Sequence, residues 1–193
     1  SDGADTAAEG QWEFGSPTSE TRSSTNVQLA PFSGSGALVT GASANQDVDN
    51  GTTTIRSPSI ILYEDTGVVT YDVSFQYYFG VVDNDGVTTS GDNQFIARLV
   101  RDSDGSTIQT FVTDTPNVTQ AASWTSFSQS YNFDAQAGEK VYLEFIATDG
   151  TGSGDVIEAG IDDLNFEFTG AIIDSTGARE GGEVEDYALT ITE

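Results

Sequence analysis

The sequence contains no cysteine, no methionine and no histidine. Without thiols there are no disulfides, no thiolate nucleophile and no soft-metal site. Without imidazole the usual proton shuttle near neutral pH is missing. Cationic side chains are scarce as well: 6 Lys plus Arg stand against 31 Asp plus Glu, for a formal net charge of −25. Lys140 is the only lysine, and Arg22, Arg56, Arg98, Arg101 and Arg179 are scattered along the chain. Nucleic acid is bound by clustered Lys and Arg that displace counterions, so it is excluded as a partner, and an anionic lipid surface is repelled. No run is long and apolar enough to cross a bilayer, so membrane insertion is not expected. No signal-peptide pattern occurs, which suits a mature or excised segment.

Hydrophobic residues make up 36% of the 193 positions and aromatics 10%, enough to fill the interior of one domain with a short extension. Two uses remain for so many carboxylates. They solvate the protein in salty water, or they hold hard cations such as calcium. A chain rich in Thr, Ser, Gly and Asp and free of oxidisable side chains fits an extracellular or cell-surface setting.

Strict alternation marks residues 68–79, where Val69, Tyr71, Val73, Phe75, Tyr77 and Phe79 share one face. Residues 140–148 repeat it with Val141, Leu143, Phe145 and Ala147. Residues 93–101 and 107–113 read as strands of a hairpin joined at Asp104-Gly105, and 57–63, 127–133 and 161–168 supply further strands. No window carries a capped helical stripe. The expectation is an all-β fold: a two-sheet antiparallel jelly-roll sandwich over residues 11–168. A polar segment, 1–10, precedes it. A C-terminal extension, 169–193, follows and carries an additional strand with Tyr187, Leu189 and Ile191 on one face. That strand either closes the chain's own sheet or adds to the edge of a partner's.

Acidic loops alternate carboxylates around glycine bends, as in Asp83-Asn84-Asp85-Gly86 and Asp149 to Asp155. Oxygens so placed can converge on calcium, with Asp83 and Asp85 as candidate ligands, although the same pattern also forms plain Asp/Asn-Gly turns. None is an EF-hand, because the closing glutamate is missing and no helices flank the loops.

Trp12-Glu13-Phe14-Gly15 near the start and Glu158-Ala159-Gly160-Ile161-Asp162-Asp163-Leu164 near the finish carry a resemblance. With Ser57-Pro58, the aromatic 75–79 strand and Trp124, they resemble a secreted jelly-roll superfamily. Its members include MAM-like domains, carbohydrate-binding modules, and accessory domains of bacterial secreted proteases and adhesins. The resemblance implies a structural calcium ion held by Glu13 with Asp162 or Asp163. Neighbouring residues of a strand face opposite ways, so both aspartates reach one ion only across a bulge, and Asp163 is favoured because it shares a face with Ile161. Gly182-Glu183-Val184-Glu185-Asp186 resembles the ending of the GEVED-type domain of large bacterial surface proteins, which implies a modular extracellular setting.

Sugar recognition needs exposed rings flanked by hydrogen-bonding side chains. Trp12, Trp124, Tyr63, Tyr78, Tyr131 and Tyr142 are candidates, and Tyr78 and Tyr142 fall on the expected outer faces of their strands. No nucleophile, base or phosphate-loop pattern accompanies the acids, so no enzyme is expected. The leading expectation is a calcium-stabilised structural or adhesive surface module, a filament or matrix subunit polymerising as a homo-oligomer through its terminal strand or docking on neighbouring modules. The alternative is a carbohydrate-binding module, with a glycan as partner, attached to a secreted polysaccharide-degrading enzyme.

Overall fold

A computed structural model describes residues 5–43, 46–83, 92–150 and 154–172. Every regular element among them is a strand. In chain order these are β1 (Trp12–Gly15), β2 (Glu20–Arg22), β3 (Thr25–Gln28), β4 (Ala37–Thr40), β5 (Gly51–Arg56), β6 (Ile60–Tyr63), β7 (Gly67–Val82), β8 (Gln94–Arg101), β9 (Thr107–Asp114), β10 (Thr125–Ala135), β11 (Glu139–Asp149) and β12 (Val156–Ile172). One sheet runs β1-β4-β12-β7-β10 and the other runs β5-β11-β8-β9 with β6 also on β11, all antiparallel. Together they form the expected jelly-roll sandwich. The additional C-terminal strand with Tyr187, Leu189 and Ile191 lies outside the described residues.

Period-two patterning decides which side chains meet. Val69, Tyr71, Val73, Phe75 and Phe79 of β7 and Ile157, Ala159 and Ile161 of β12 face Phe95, Ala97 and Leu99 of β8 and Val141, Leu143, Phe145 and Ala147 of β11. Aromatic pairs knit this interior: the Phe75 ring stacks on Phe127 at 4.8 Å and meets Phe145 edge-on at 5.7 Å. A buried set of this size removes enough apolar surface from water to drive folding of the sandwich.

Three local features shape the edges. Pro58 cannot donate to a ladder, and the edge beside β11 is broken there into β5 and β6, with Ser57 bridging the gap through its amide to Leu143 O at 2.9 Å. The N-terminal segment then covers β5: the Thr6 and Ala7 amides donate to Thr52 O at 2.8 and 3.1 Å, and Asp5 Oδ1 accepts from the Thr54 amide at 2.7 Å. The small hairpin β2–β3 lies on the outer face of the first sheet, over β7 and β12. That approach is backbone on backbone, since a Cβ at Gly80 would stand 2.3 Å from Val27 O.

Candidate functional site

The outer face of the first sheet divides into a covered part and an open part. Beneath the hairpin, Tyr78 is 0% exposed and lies so close on Gly160 that a Cβ there would sit 2.2 Å from its ring. Buried polar groups surround it. Glu158 Oε2 accepts from Thr40 Oγ1 at 2.8 Å and from Gln28 Nε2 at 3.3 Å. Burial holds the Glu158 carboxyl well above the usual carboxylate range, with Asp47 and Glu20 adding repulsion and the Thr40 and Gln28 hydrogen bonds pulling it back.

At the margin of the cover, two rings reach solvent. Trp124 stands edge-on to Tyr78 at 4.8 Å and is pinned by its Nε1–H, which donates to Ala30 O at 3.1 Å. Phe32 in turn meets Trp124 edge to face at 5.9 Å and remains 49% exposed. Phe32 is one of several exposed large apolar side chains, with Phe14 and Phe168 among the others; what sets it apart is its ring contact with Trp124.

Next to the rings the sheet presents rows of polar side chains fixed by strand register. Ser126, Gln76 and Asp162 form one row across β10, β7 and β12, followed by Ser128, Ser74 and Asn165 and then by Ser130, Asp72 and Glu167. Ser126 Oγ donates to Gln76 Oε1 at 2.8 Å, and Ser130 Oγ to Asp72 Oδ1. The loop carrying Phe32 is tied to the same face: the Ser33 amide donates to Asp162 Oδ2 at 3.0 Å and Ser33 Oγ to Asp163 Oδ1 at 2.5 Å. Planar rings beside a ladder of hydroxyl, amide and carboxylate groups can offer one ligand both an apolar stacking surface and hydrogen bonds.

The residues expected from the sequence are distributed differently. Tyr78 and Tyr142 do stand on outer faces, but neither offers a ring to a ligand. Tyr78 is covered by β2–β3, and Tyr142 is only 8% exposed because the Arg56 guanidinium lies 4.8 Å over its ring. Asp162 and Asp163 both turn to Ser33, which a bulge permits; the register shifts between Asp162 and Asn165, and Asp163 has φ +50°. Glu13 does not join them. Its Oε1 accepts from the Ala42 amide at 2.6 Å, beyond one end of β4, whereas Ser33 precedes the other end. Tied to opposite ends of β4, Glu13 and Asp162 or Asp163 do not fit the calcium site that the resemblance implies. Glu13 instead borders a cleft of about 320 Å³ with Glu9, Gln11 and Gln46, and this cleft presents no exposed ring, Trp12 being buried. Asp83 donates its amide to Thr119 Oγ1 at 3.1 Å, and Asp85 lies outside the described residues.

Phe32 carries no periodic signal in the sequence. Its one legible cue is its place in Pro31-Phe32-Ser33-Gly34, an aromatic within a turn-forming run that has no strand pattern to absorb it.

Neither a protein-family model nor a curated protein matches the chain. Among solved structures it is similar to a CBM4 structure, at 15% identity and TM-score 0.37 over 87% of this chain and 81% of that one. It is also similar to the K1 cleaved adhesin domain of Lys-gingipain from Porphyromonas gingivalis W83, at 12% identity and TM-score 0.41 over 88% and 94%. A third is CBM27-1 of Caldicellulosiruptor saccharolyticus in complex with mannohexaose, at 12% identity and TM-score 0.36 over 78% and 87%. At these identities and scores the likenesses carry no argument about ligand or site.

Proposed function

We propose that the chain is a non-catalytic, extracellular carbohydrate-binding module that takes a glycan on the outer face of its first sheet. The observation that carries this reading is the Phe32–Trp124 pair standing beside the Ser126, Gln76 and Asp162 row. A pyranose stacks its C–H face on Phe32 and directs its hydroxyls to the Gln76 amide, the serines and the Asp162 carboxylate. Asp162 serves as an acceptor fixed by the Ser33 and Asp163 amides, at 3.0 and 2.8 Å, rather than as a proton-transfer group. The net charge of −25 favours neutral or cationic glycans over sulfated or uronic ones.

This reading displaces the filament subunit from first place. Residues 5–8 pair within the chain, on β5 and on Asp49 O, so this segment is engaged with its own sheet rather than a partner's. The proposed exchange strand at 184–193 lies outside the described residues and lends no support to either reading.

Affinity electrophoresis through gels containing neutral polysaccharides tests the proposal. Retardation on at least one glycan is expected, with Phe32→Ala weakening it about tenfold, the loss of one well-placed stacking contact, and leaving the fold intact. Circular dichroism of the variant controls for folding. No retention on any neutral or cationic glycan, or unchanged retention of a folded F32A protein, defeats the reading.

A further inference from the structure

Where β11 ends at Asp149 and β12 begins after Asp155, loops from four parts of the chain meet. The Val48 amide donates to Ile157 O at 3.0 Å, the Asn50 amide to Asp149 Oδ2 at 2.8 Å, the Gly150 amide to Asn93 Oδ1 at 3.1 Å, and Asn93 Nδ2 to Asp155 Oδ2 at 2.9 Å. Asp149 is 3% exposed, yet its Oδ1 is buried without a hydrogen-bond partner among the described residues. A carboxylate oxygen so placed has lost its water and gained nothing in exchange, which native interiors avoid unless something else fills the position.

The charges nearest this oxygen are of the same sign. Asp155, Asp49 and Asp47 are the charged groups that act on it. A buried carboxylate set among carboxylates is left uncompensated unless a cation joins it. The described side chains that meet here include the Asp149, Asp155 and Asn93 oxygens, donors that a hard cation accepts, and the loop-built geometry suits an ion that tolerates irregular coordination.

We propose that this end of the sandwich is a calcium site in which Asp149 Oδ1 is a direct ligand, within a loop cluster that also carries the Asp155 and Asp49 carboxylates. The described residues contain no ready-made group of three metal-ligating side chains, so the remaining positions fall to backbone carbonyls and water. The ion ties the Asn50 turn, the end of β11 and the start of β12 together, which ranks it as a structural ion independent of the glycan face.

The test is calorimetry on the full chain after chelator treatment, at pH 7.5 with sodium chloride matching ionic strength. Titrated calcium is expected to bind with measurable heat and, near a hundredfold excess over Kd, to raise the wild-type Tm by roughly 5–10 °C. Asp149→Asn keeps an acceptor for the Asn50 amide and removes the buried charge. It is expected to lose both the heat and the Tm response and to melt above the wild type in chelator, whereas Glu13→Gln responds as the wild type does. No binding heat in the wild type overturns the proposal, as does a calcium response retained in D149N or lost in E13Q alone.

Discussion

Buried Glu158 shows how one residue ties stability to pH. Its carboxyl is stabilised in the neutral form, because burial outweighs the hydrogen bonds from Thr40 and Gln28. The folded chain thus holds a proton that the unfolded chain releases near the ordinary glutamate value, and stability falls as pH rises from there through the raised folded value. Asp47 and Glu20 face the same group and steepen the loss. Glu158→Gln keeps an acceptor for Thr40 and cannot ionise. It is expected to match the wild type near pH 4 and to exceed it by about 1–3 kcal/mol near pH 8, the cost of one poorly compensated buried group. Urea denaturation across that range reads the difference; parallel curves for the two proteins contradict the assignment. The same residue-scale logic separates Tyr78 from Phe32. Both are aromatic and both lie on the outer side of the first sheet, but Tyr78 rests on Gly160 under the hairpin while Phe32 is propped outward by Trp124.

Among the elements, the edges carry the most consequence. An uncovered edge strand presents free amides and carbonyls to other chains. The segment before β1 prevents this along β5, where the Thr52 amide donates to Thr6 Oγ1 at 3.0 Å in addition to the backbone bonds, and Ala7 packs against the main core. Deleting residues 1–8 is expected to lower the Tm by several degrees, since it removes several hydrogen bonds each worth about 1 kcal/mol, and to shift the protein toward aggregates in size-exclusion chromatography. A deletion variant as stable and monodisperse as the full chain would show that the cover is ornamental. On the second sheet, Glu144 is clasped by Arg56 at 2.8 Å and Arg98 at 2.5 Å, so arginines that look scattered in sequence meet across β5, β11 and β8. Tyr142 is closed off by the same clasp.

Across the whole molecule, self-repulsion among the carboxylates dominates the electrostatics. A net charge of −25 on a chain of 193 residues favours expansion, and salt relieves it. Raising sodium chloride from about 10 mM to about 0.5 M shortens the screening length from roughly 30 Å to a few ångströms, so the melting temperature is expected to rise steadily over that range. A flat or falling melt would mean that the ion pairs around Glu144 and Glu139, which salt weakens, outweigh the repulsion. This general salt effect is the background against which the calcium response must be measured.

Period-two alternation made the central strands and the hairpin β8–β9 legible from sequence, because side-chain direction alternates along a strand whatever the strand packs against. It also placed Val141, Leu143, Phe145 and Ala147 in the core. The short strands β1 to β5 were not legible, since pieces of three to six residues hold too few alternations to stand out. Composition alone excluded thiol and imidazole chemistry, and its scarcity of Lys and Arg argued against nucleic acid as a partner. Tertiary structure decided the rest of the site. Whether an outward tyrosine meets solvent depends on a hairpin or an arginine brought in from elsewhere. Whether Glu13 meets Asp163 depends on which end of β4 each one serves. The exposure of Phe32 and the unpaired oxygen of Asp149 are set by long-range packing, and a local pattern of residues contains no information about what covers it.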